Sequence, residues 1–211
     1  MRRLVIATRN PGKVREIRAI LADSPDLEIV GLDALRIDES EAEDALEVFG
    51  TFEENALAKA RYFARLTGEL TLADDSGICV DALAGAPGVR SRRFAPGPDL
   101  RGAAQDAANN AHLLHLLAGH EGAARGGEYV SAVALVSPED AEAVFMGRTP
   151  GVVLEAPRGT GGFGYDPLFY LPGEGCTFGE LPASRKNVMS HRGQAVRAAV
   201  EALRAGLTLG G

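Results

Sequence analysis

The sequence predicts an α/β protein that folds as a single domain. Its 211 residues, 45% of them hydrophobic, are enough to bury one sizeable core. Short, continuous apolar runs are typical of strands covered on both faces, and here they alternate with segments in which apolar residues recur at helical spacing. The chain has no internal repeat and no low-complexity linker, so one domain is expected over residues 1–211.

Local signals predict the first strand and the first helix. Leu4–Ala7 is a continuous apolar run and therefore a candidate buried strand. Asn10 then offers an N-cap, and Pro11 stands where the first helical residue is expected. The apolar stripe of this helix, at i, i+3 and i+7, consists of Val14, Ile17 and Leu21. A second strand is expected near Leu27–Gly31.

The next segments lead to a second helix and a third strand. An acidic stretch at 38–47 is expected to be a solvated loop, because runs of charge usually face water. Thr51 and Glu54 have the spacing of a capping box, and Gly68 is expected to end the helix that starts there. Leu70–Ala73 then predicts a buried strand.

The remainder of the chain continues the alternation. Its predicted elements are a strand at 78–83, a helix at 103–117, two antiparallel strands at 131–136 and 143–145 joined by a turn, and a last helix at 190–205.

Charge and cysteine content exclude several classes of function. The chain has 22 basic and 29 acidic residues and a net charge of −7, so it lacks a broad positive field for a nucleic acid polymer. A small nucleotide could still be held by a few focused basic residues. Cys79 and Cys176 form no C-x-x-C pair and are expected to be reduced. The apolar run at 4–7 is shorter than a signal segment or a membrane span, so a cytoplasmic protein without a membrane partner is expected.

A candidate phosphate site lies where the first strand passes into the first helix. It comprises Thr8, Arg9, Asn10, Pro11, Gly12 and Lys13. Ligands of α/β sheets bind at such carboxyl ends of strands, and free amides, the helix dipole and Lys13 could converge there on an anion. Ala7 and Val14 stand where a Walker loop needs glycine and Ser or Thr. An ordinary capped turn with a surface lysine is the alternative.

Asp74 and Asp75 form a second candidate site at the end of an apolar strand. Adjacent side chains of a strand point to opposite faces, so one carboxylate could enter a cleft while the other makes structural hydrogen bonds. A carboxylate in a cleft can hold Mg²⁺ or accept a proton from an attacking water. A turn-forming pair of aspartates is the alternative interpretation.

A glycine loop and a basic segment complete the candidates. Gly159–Gly164 matches G-x-G-x-x-G, but Asp166 and Pro167 follow it instead of a crossover helix, so a flexible loop that presents aromatic and acidic side chains is the better interpretation. The basic residues at 184–192 run against the dipole of the last helix, which suggests a ligand. A plain surface loop and a solvated basic turn are the respective alternatives. His112 and His115 are expected to be helix-surface histidines.

Taken in order, these segments resemble the inosine triphosphate pyrophosphatase family over nearly the whole chain. The five matching motifs are Thr8–Lys13, Thr51–Ala56 with Lys59, Ala73–Gly77 with Gly85–Gly88, Gly162–Asp166, and Ser190–Ala195. The resemblance implies an elongated, mixed-sheet α/β fold with two lobes, an active-site cleft between them, and a homodimer. It implies hydrolysis of ITP, dITP and XTP to the monophosphate and pyrophosphate, with Mg²⁺ as cofactor.

The same resemblance assigns roles to individual residues. Asp75 would hold Mg²⁺ and accept a proton from water that attacks the α-phosphorus. The residues implied to bind substrate are Thr8, Arg9, Asn10, Pro11, Gly12, Lys13 and Lys59 for the triphosphate, with Ser76, Phe163, Gly164, Tyr165, Asp166, Lys186, His191 and Arg192. Phe163 would stack on the purine, while Lys186, His191 and Arg192 would donate to its C6 oxygen.

One part of the chain departs from the family pattern. The acidic stretch at 39–47 looks longer than usual, so the second acidic metal ligand is either Glu47, which we prefer, or Glu43, while Glu54 belongs to the capping box. Two other functions stay open: a house-cleaning pyrophosphatase for other modified nucleotides, and a nucleotide-sensing module without turnover.

Overall fold

The computed structural model describes residues 2–98 and 100–206. The other residues of the predicted domain, namely Met1, Asp99 and 207–211, lie outside this description. The strands are β1 (Arg2–Ile6), β2 (Leu27–Gly31), β3 (Leu70–Val80), β4 (Gly126–Val136), β5 (Glu142–Val153), β6 (Phe169–Leu171) and β7 (Cys176–Thr177). The α-helices are α1 (Pro11–Ile20), α2 (Phe52–Thr67), α3 (Gly102–Leu116), α4 (Ala183–Met189) and α5 (His191–Arg204). Short 3₁₀ helices span Glu41–Glu47, Asp81–Leu83, Gly88–Arg93 and Gly122–Arg125.

These strands form a sheet in the order β2-β1-β3-β4-β5-β6-β7. β1 is parallel to β2 and to β3, with Leu4 opposite Ile29 on one side and Leu70 on the other. β6 is antiparallel to both β5 and β7. The prediction of an α/β fold with a mixed sheet is therefore confirmed. Among the residues that the structure describes, no helix is long and apolar enough to cross a membrane.

The described residues form two compact units, each assembled from separate stretches of chain. Unit 1 contains residues 2–75, 131–147 and 191–206, and unit 2 contains 76–98, 100–130 and 148–190. In unit 1, apolar residues of β1 and the first half of β3 pack with α1 and α5. In unit 2, the core includes Tyr129, Phe169 and Phe178, whose rings lie within 4.8 to 5.9 Å of one another, centroid to centroid.

The helix ends predicted from local sequence are confirmed. Asn10 caps α1, because its side-chain oxygen accepts from the amides of Gly12 and Lys13. Thr51 caps α2 by accepting from the amide of Glu54. Gly68 ends α2 in the left-handed conformation, with φ of 66°. Each signal depends only on residues within one helical turn.

Three predictions about element bounds were wrong. β3 does not end at Ala73 but continues to Val80, because buried partners satisfy Asp74 and Asp75 within the strand. The acidic stretch is not simply a solvated loop, since 41–47 forms a 3₁₀ helix. The basic segment before Ser190 is a helix of its own, α4, and the extended backbone of Ser190 separates it from α5.

Candidate active site

Two carboxylates and one ammonium meet in unit 1 at β3. The Asp75 carboxylate accepts a hydrogen bond from Asn55 Nδ2 at 3.0 Å. Lys59 Nζ lies 3.4 Å from Asp75 Oδ1 and 2.7 Å from Glu47 Oε1. Asn55 and Lys59 are four residues apart on α2 and therefore lie on the same face of that helix. The capped helix thus holds Asp75 while the 3₁₀ helix brings Glu47 to it.

Burial sets the protonation behaviour of this group. Burial raises the pKa of Asp75, and the neighbouring Glu47 raises it further, while Lys59 and Lys13 partly oppose the shift. Burial alone would lower the pKa of Lys59, but Asp75 and Glu47 outweigh that effect and raise it. Asp75, a buried carboxylate that shares its ammonium with Glu47, would gain from a further positive charge nearby.

Asp74 faces a different set of partners. Its side chain is fully buried, with Oδ1 2.6 Å from Lys13 Nζ, and its Oδ2 accepts a hydrogen bond from Ser131 Oγ at 2.7 Å. The Arg192 guanidinium approaches Asp74 Oδ2 to 3.4 Å and also forms an ion pair with Glu16. Burial would raise the pKa of Asp74, but Arg192 and Lys13 outweigh it and hold this pKa well below its usual range. Asp74 is therefore an ionised structural carboxylate.

The carboxylates of Asp75 and Glu47 fit a magnesium site. Mg²⁺ usually takes one or two protein carboxylates and completes its octahedral shell with water and substrate phosphates. Within the described ranges no group of three or more His, Cys, Asp or Glu residues could hold a metal. Of the two alternatives for the second ligand, Glu43 is occupied by Arg9, with Oε1 2.7 Å from Nη2. The geometry thus favours Glu47 over Glu43.

The predicted phosphate segment forms a tightly capped turn. Pro11 has no amide hydrogen, and the amides of Gly12 and Lys13 donate to Asn10 Oδ1 at 2.8 and 3.2 Å. The amide of Asn10 in turn donates to Thr8 Oγ1 at 3.2 Å. The expectation of free amides at this helix end was therefore wrong, because Asn10 uses them. Lys13 remains as the cation that this segment can offer to a phosphate.

The glycine loop and α4 meet in unit 2. Asp166 Oδ2 accepts from the amide of Phe163 at 2.8 Å and lies 2.5 Å from Lys186 Nζ, both side chains being buried. The same ammonium lies 5.0 Å from the centroid of the Phe163 ring. Gly162 has φ of +73°, and a Cβ there would lie 1.9 Å from Asp166 Oδ2. The loop conformation therefore depends on glycine and presents Phe163 beside a charged pair.

Other predicted substrate residues have structural contacts in this arrangement. The Tyr165 hydroxyl donates to the carbonyl of Ser91 at 2.8 Å, and burial raises the pKa of this phenol far above its usual range. The amide of Gly164 donates to Asp106 Oδ2 at 2.8 Å. Ser76 is half-buried, directly after Asp75. The Gly164 contact fixes the loop on α3 and the Tyr165 contact fixes it on the 3₁₀ helix at 88–93, while the substrate roles of Ser76, Gly164 and Tyr165 stay predictions.

His191 and Arg192 begin α5 in unit 1, whereas Lys186 belongs to unit 2. The side chains of His191 and Arg192 are both buried. The helix start packs directly on β5, since a Cβ on Gly147 would lie 1.9 Å from the carbonyl oxygen of His191. Because Arg192 is paired with Asp74 and Glu16, its placement favours a structural role over the predicted contact with the base.

Sequence reasoning missed several members of these groups. Asn55 was part of a matched motif without a role, although its i, i+4 spacing from Lys59 on a capped helix was a usable signal. Glu16 and Ser131 come from distant parts of the chain and carry no motif. Their contacts with Arg192 and Asp74 arise only from the packing of unit 1.

Comparison with known proteins decides the family. The model of the Ham1 family matches residues 4–202. The chain belongs to the Ham1 family. It is 49% identical over 207 residues to the dITP/XTP pyrophosphatase of Ralstonia nicotianae, covering 97% of this chain and 98% of the relative. It is 46% identical over 202 residues to that of Symbiobacterium thermophilum, covering 96% and 95%.

Solved structures of Ham1 proteins agree with this assignment. A HAM1 protein from Coxiella burnetii is 34% identical, with a TM-score of 0.82 over 97% of this chain and 100% of that one. A nucleoside-triphosphatase, dITP/XTP pyrophosphatase, from Mycobacterium abscessus is 41% identical, with a TM-score of 0.70 over 94% and 98%. The family resemblance predicted from five sequence motifs is thus confirmed, and the Ham1 match spans both units.

Proposed function

We propose that this chain is a nucleoside triphosphate pyrophosphatase that removes deaminated purine nucleotides from the nucleotide pool. Its substrates would be ITP, dITP and XTP, and its products the monophosphate and pyrophosphate. Relatives that are 43 to 49% identical are named dITP/XTP pyrophosphatases. The observation that carries the proposal is the group formed by Asp75, Glu47 and Lys59, in which a buried carboxylate and a partly exposed one lie beside the same buried ammonium.

The residues of unit 1 would act on the triphosphate. Mg²⁺, when held by Asp75 and Glu47, would supply positive charge to the phosphate oxygens. Asp75 would accept the proton of the water that attacks the α-phosphorus, a role that suits a carboxyl group whose pKa is raised by burial. Lys13 and Lys59 would neutralise phosphate charge. Asp74 would keep the Lys13 ammonium in place through their 2.6 Å ion pair.

Residues of unit 2 would select the base. Phe163 would stack on the purine, and Lys186, fixed by Asp166, would donate to the C6 oxygen of hypoxanthine or xanthine. Adenine carries an amino group at C6, so a donor on the protein would face a donor on the base, which disfavours adenine nucleotides. The contact of His191 with the base remains a prediction, while the ion pairs of Arg192 with Asp74 and Glu16 favour a structural role for that residue.

A panel of triphosphates with identification of products tests the function. We expect ITP, dITP and XTP to be hydrolysed far faster than ATP, and IMP and pyrophosphate to be the first products from ITP. IDP and free phosphate as first products would contradict attack at the α-phosphorus. A better rate with another modified nucleotide would identify the house-cleaning alternative. Binding without release of pyrophosphate would identify a sensing module.

The assembly and the cofactor are separate parts of the proposal. A homodimer would elute at twice the mass of the 22.1 kDa chain in size-exclusion chromatography with light scattering. Removal of divalent metal with a chelator should abolish turnover, and Mg²⁺ should restore it. Activity that persists after exhaustive chelation would contradict the metal site at Asp75 and Glu47.

A further inference from the structure

Arg9 lies in the predicted phosphate segment but binds the acidic stretch. Its Nε and Nη2 donate to the two carboxylate oxygens of Glu43 at 3.0 and 2.7 Å. Its Nη1 and Nη2 also donate to the carbonyls of Ile37 and Asp38 at 2.7 and 2.9 Å. The Glu43 side chain is only 13% exposed. A two-pronged pair of this kind fixes orientation as well as distance.

The same guanidinium also contacts α2. Its Cζ lies 5.8 Å from the ring centroid of Phe63, a residue buried in α2. A hydrogen bond of 3.2 Å between Ser40 Oγ and Tyr62 Oη joins the start of the 3₁₀ helix to α2. At the other end of the 3₁₀ helix, Glu47 is held by Lys59 of α2. Arg9, in the loop between β1 and α1, thus contacts both α2 and the 3₁₀ helix.

The 3₁₀ helix at 41–47 needs such support. Hydrogen bonds of a 3₁₀ helix have poorer geometry than those of an α-helix, and runs of this length are uncommon. None of its residues is fully buried, so apolar packing contributes little to its position. Glu43 and Glu47 belong to this one element, and whatever holds Glu43 restricts where Glu47 can lie.

We propose that Arg9 is a positioning residue: through Glu43 it holds the 3₁₀ helix at 41–47 so that Glu47 stays beside Asp75. This inference rests on the proposed function, in which Glu47 and Asp75 are the metal ligands. It replaces the sequence-based expectation that Arg9 binds the triphosphate. Without the pair, Glu47 would sample positions away from Asp75, and the metal would lose one of its two protein ligands for part of the time.

Metal binding by the full chain tests this inference. Arg9→Ala and Glu43→Gln are compared with Glu41→Gln, which removes the same charge as Glu43→Gln from an exposed position of the same 3₁₀ helix. Mn²⁺ is the probe, and free Mn²⁺ is measured by electron paramagnetic resonance in a titration without nucleotide. Arg9→Ala and Glu43→Gln are called the clamp variants. We expect both to bind Mn²⁺ roughly tenfold more weakly than the unmodified chain, the low end for outer-shell partners of a metal site. Glu41→Gln should bind like the unmodified chain.

Two further measurements separate positioning from phosphate binding. The KM for ITP at saturating Mg²⁺ should stay within about twofold of the unmodified chain in both clamp variants, because neither residue would touch the nucleotide. The double variant Arg9→Ala/Glu43→Gln should bind Mn²⁺ no more weakly than either single variant, since each single change already removes the contact between Arg9 and Glu43. If Arg9→Ala raises KM while Glu43→Gln does not, Arg9 binds phosphate and the inference is wrong.

The remaining outcomes are equally decisive. The positioning role would be overturned if both clamp variants kept the Mn²⁺ affinity of the unmodified chain. It would also be overturned if Glu41→Gln lost as much Mn²⁺ affinity as they do. Glu47→Gln distinguishes a failure of the proposed function. If it leaves Mn²⁺ binding intact, the metal site itself is wrong and the inference falls with it. If it weakens binding while the clamp variants do not, only the role of Arg9 is wrong. Circular dichroism melting verifies that each variant is folded.

Discussion

Asp74 and Asp75 are neighbours in sequence, yet their environments shift their pKa values in opposite directions. Lys13 and Arg192 surround Asp74 with positive charge, whereas burial and Glu47 disfavour the ionised form of Asp75. The alternation of side chains along a strand makes this possible, because each carboxylate meets different partners. Asp74 is therefore suited to a structural role, and Asp75 is suited to proton transfer.

The first prediction concerns Asp75→Asn. We expect a loss of at least ~10²-fold in kcat, because the change removes the proposed metal ligand and the proposed proton acceptor together. The melting temperature should stay the same or rise, since the ionised carboxylate is disfavoured by burial and Asn carries no charge to desolvate. Steady-state kinetics and calorimetry measure the two quantities. Near-normal turnover would show that the catalytic carboxylate lies elsewhere.

The second prediction concerns Asp74→Asn, which should have the opposite effect on stability. Lys13 and Arg192 would be left buried without this carboxylate, and breaking a buried ion pair from one side costs about 3–5 kcal/mol of unfolding free energy. Asp140→Asn is the matched control, because its ion pair with Arg65 is exposed and should contribute about 0–1 kcal/mol. Urea unfolding compares the two. Equal losses would contradict a structural role for Asp74.

At the scale of elements, the division between α4 and α5 separates two residues that the sequence places in one basic segment. Lys186 lies on α4 beside Asp166 and Phe163, whereas Arg192 lies on α5 with Asp74 and Glu16. The neighbours of Lys186 include an aromatic ring that could stack on a base. Ser190, with extended backbone, makes the division.

The third prediction compares Lys186→Ala with Arg192→Ala. Loss of a donor to the C6 oxygen costs about 1–3 kcal/mol, so Lys186→Ala should lower kcat/KM for ITP by roughly ten- to a hundredfold and affect ATP much less. Arg192→Ala should lower kcat/KM for ITP and for ATP by the same factor and should destabilise the fold. Parallel kinetics with ITP and ATP provide the comparison. A selective loss of ITP hydrolysis in Arg192→Ala would restore the base-reading role predicted from sequence.

Local elements could be predicted from the sequence, and elements that depend on distant contacts could not. The caps at Asn10, Thr51 and Gly68 involve residues within one turn, so the sequence states them directly. The 3₁₀ helix at 41–47 and the seven-residue α4 are too short for a periodic signal. Their positions depend on partners such as Arg9, which lies 34 residues from Glu43.

The site followed the same rule. Motif order pointed to Asp75 and Lys59 and left Glu47, the preferred second carboxylate, open against Glu43, because residue type and spacing are visible in the chain. The directions of the arginine side chains were not visible. Arg9 and Arg192 were assigned to substrate from the sequence, but each is bound to a carboxylate that comes close only through packing within unit 1.

At the scale of the whole molecule, the charge of the chain restricts which phosphates it can bind. A net charge of −7 repels an extended polyanion, while Lys13 and Lys59 concentrate positive charge beside the carboxylates of β3. A single triphosphate needs only those few contacts. A nucleic acid would need many along its backbone.

The fourth prediction follows from this distribution of charge. Labelled single-stranded DNA should show no binding in fluorescence anisotropy at 50 or at 200 mM salt, whereas ITP should still be hydrolysed at both. The sequence of the DNA should not matter, because a general electrostatic attraction is what the chain lacks. Binding that weakens steeply with salt would contradict this expectation and reveal a basic surface that the net charge conceals.

The close backbone contact between Gly147 of β5 and His191 of α5 affects where Arg192 lies relative to Asp74. Any side chain at 147 would push the start of α5 outward, because its Cβ would collide with the carbonyl of His191. Arg192, the next residue, would then withdraw from Asp74, and Lys13 would be left as the main counterion of that carboxylate. Adding one methyl group, with no polar atom altered, would thereby retune the electrostatics around Lys13. Glycine at 147 is therefore what allows the start of α5 to approach β5 so closely.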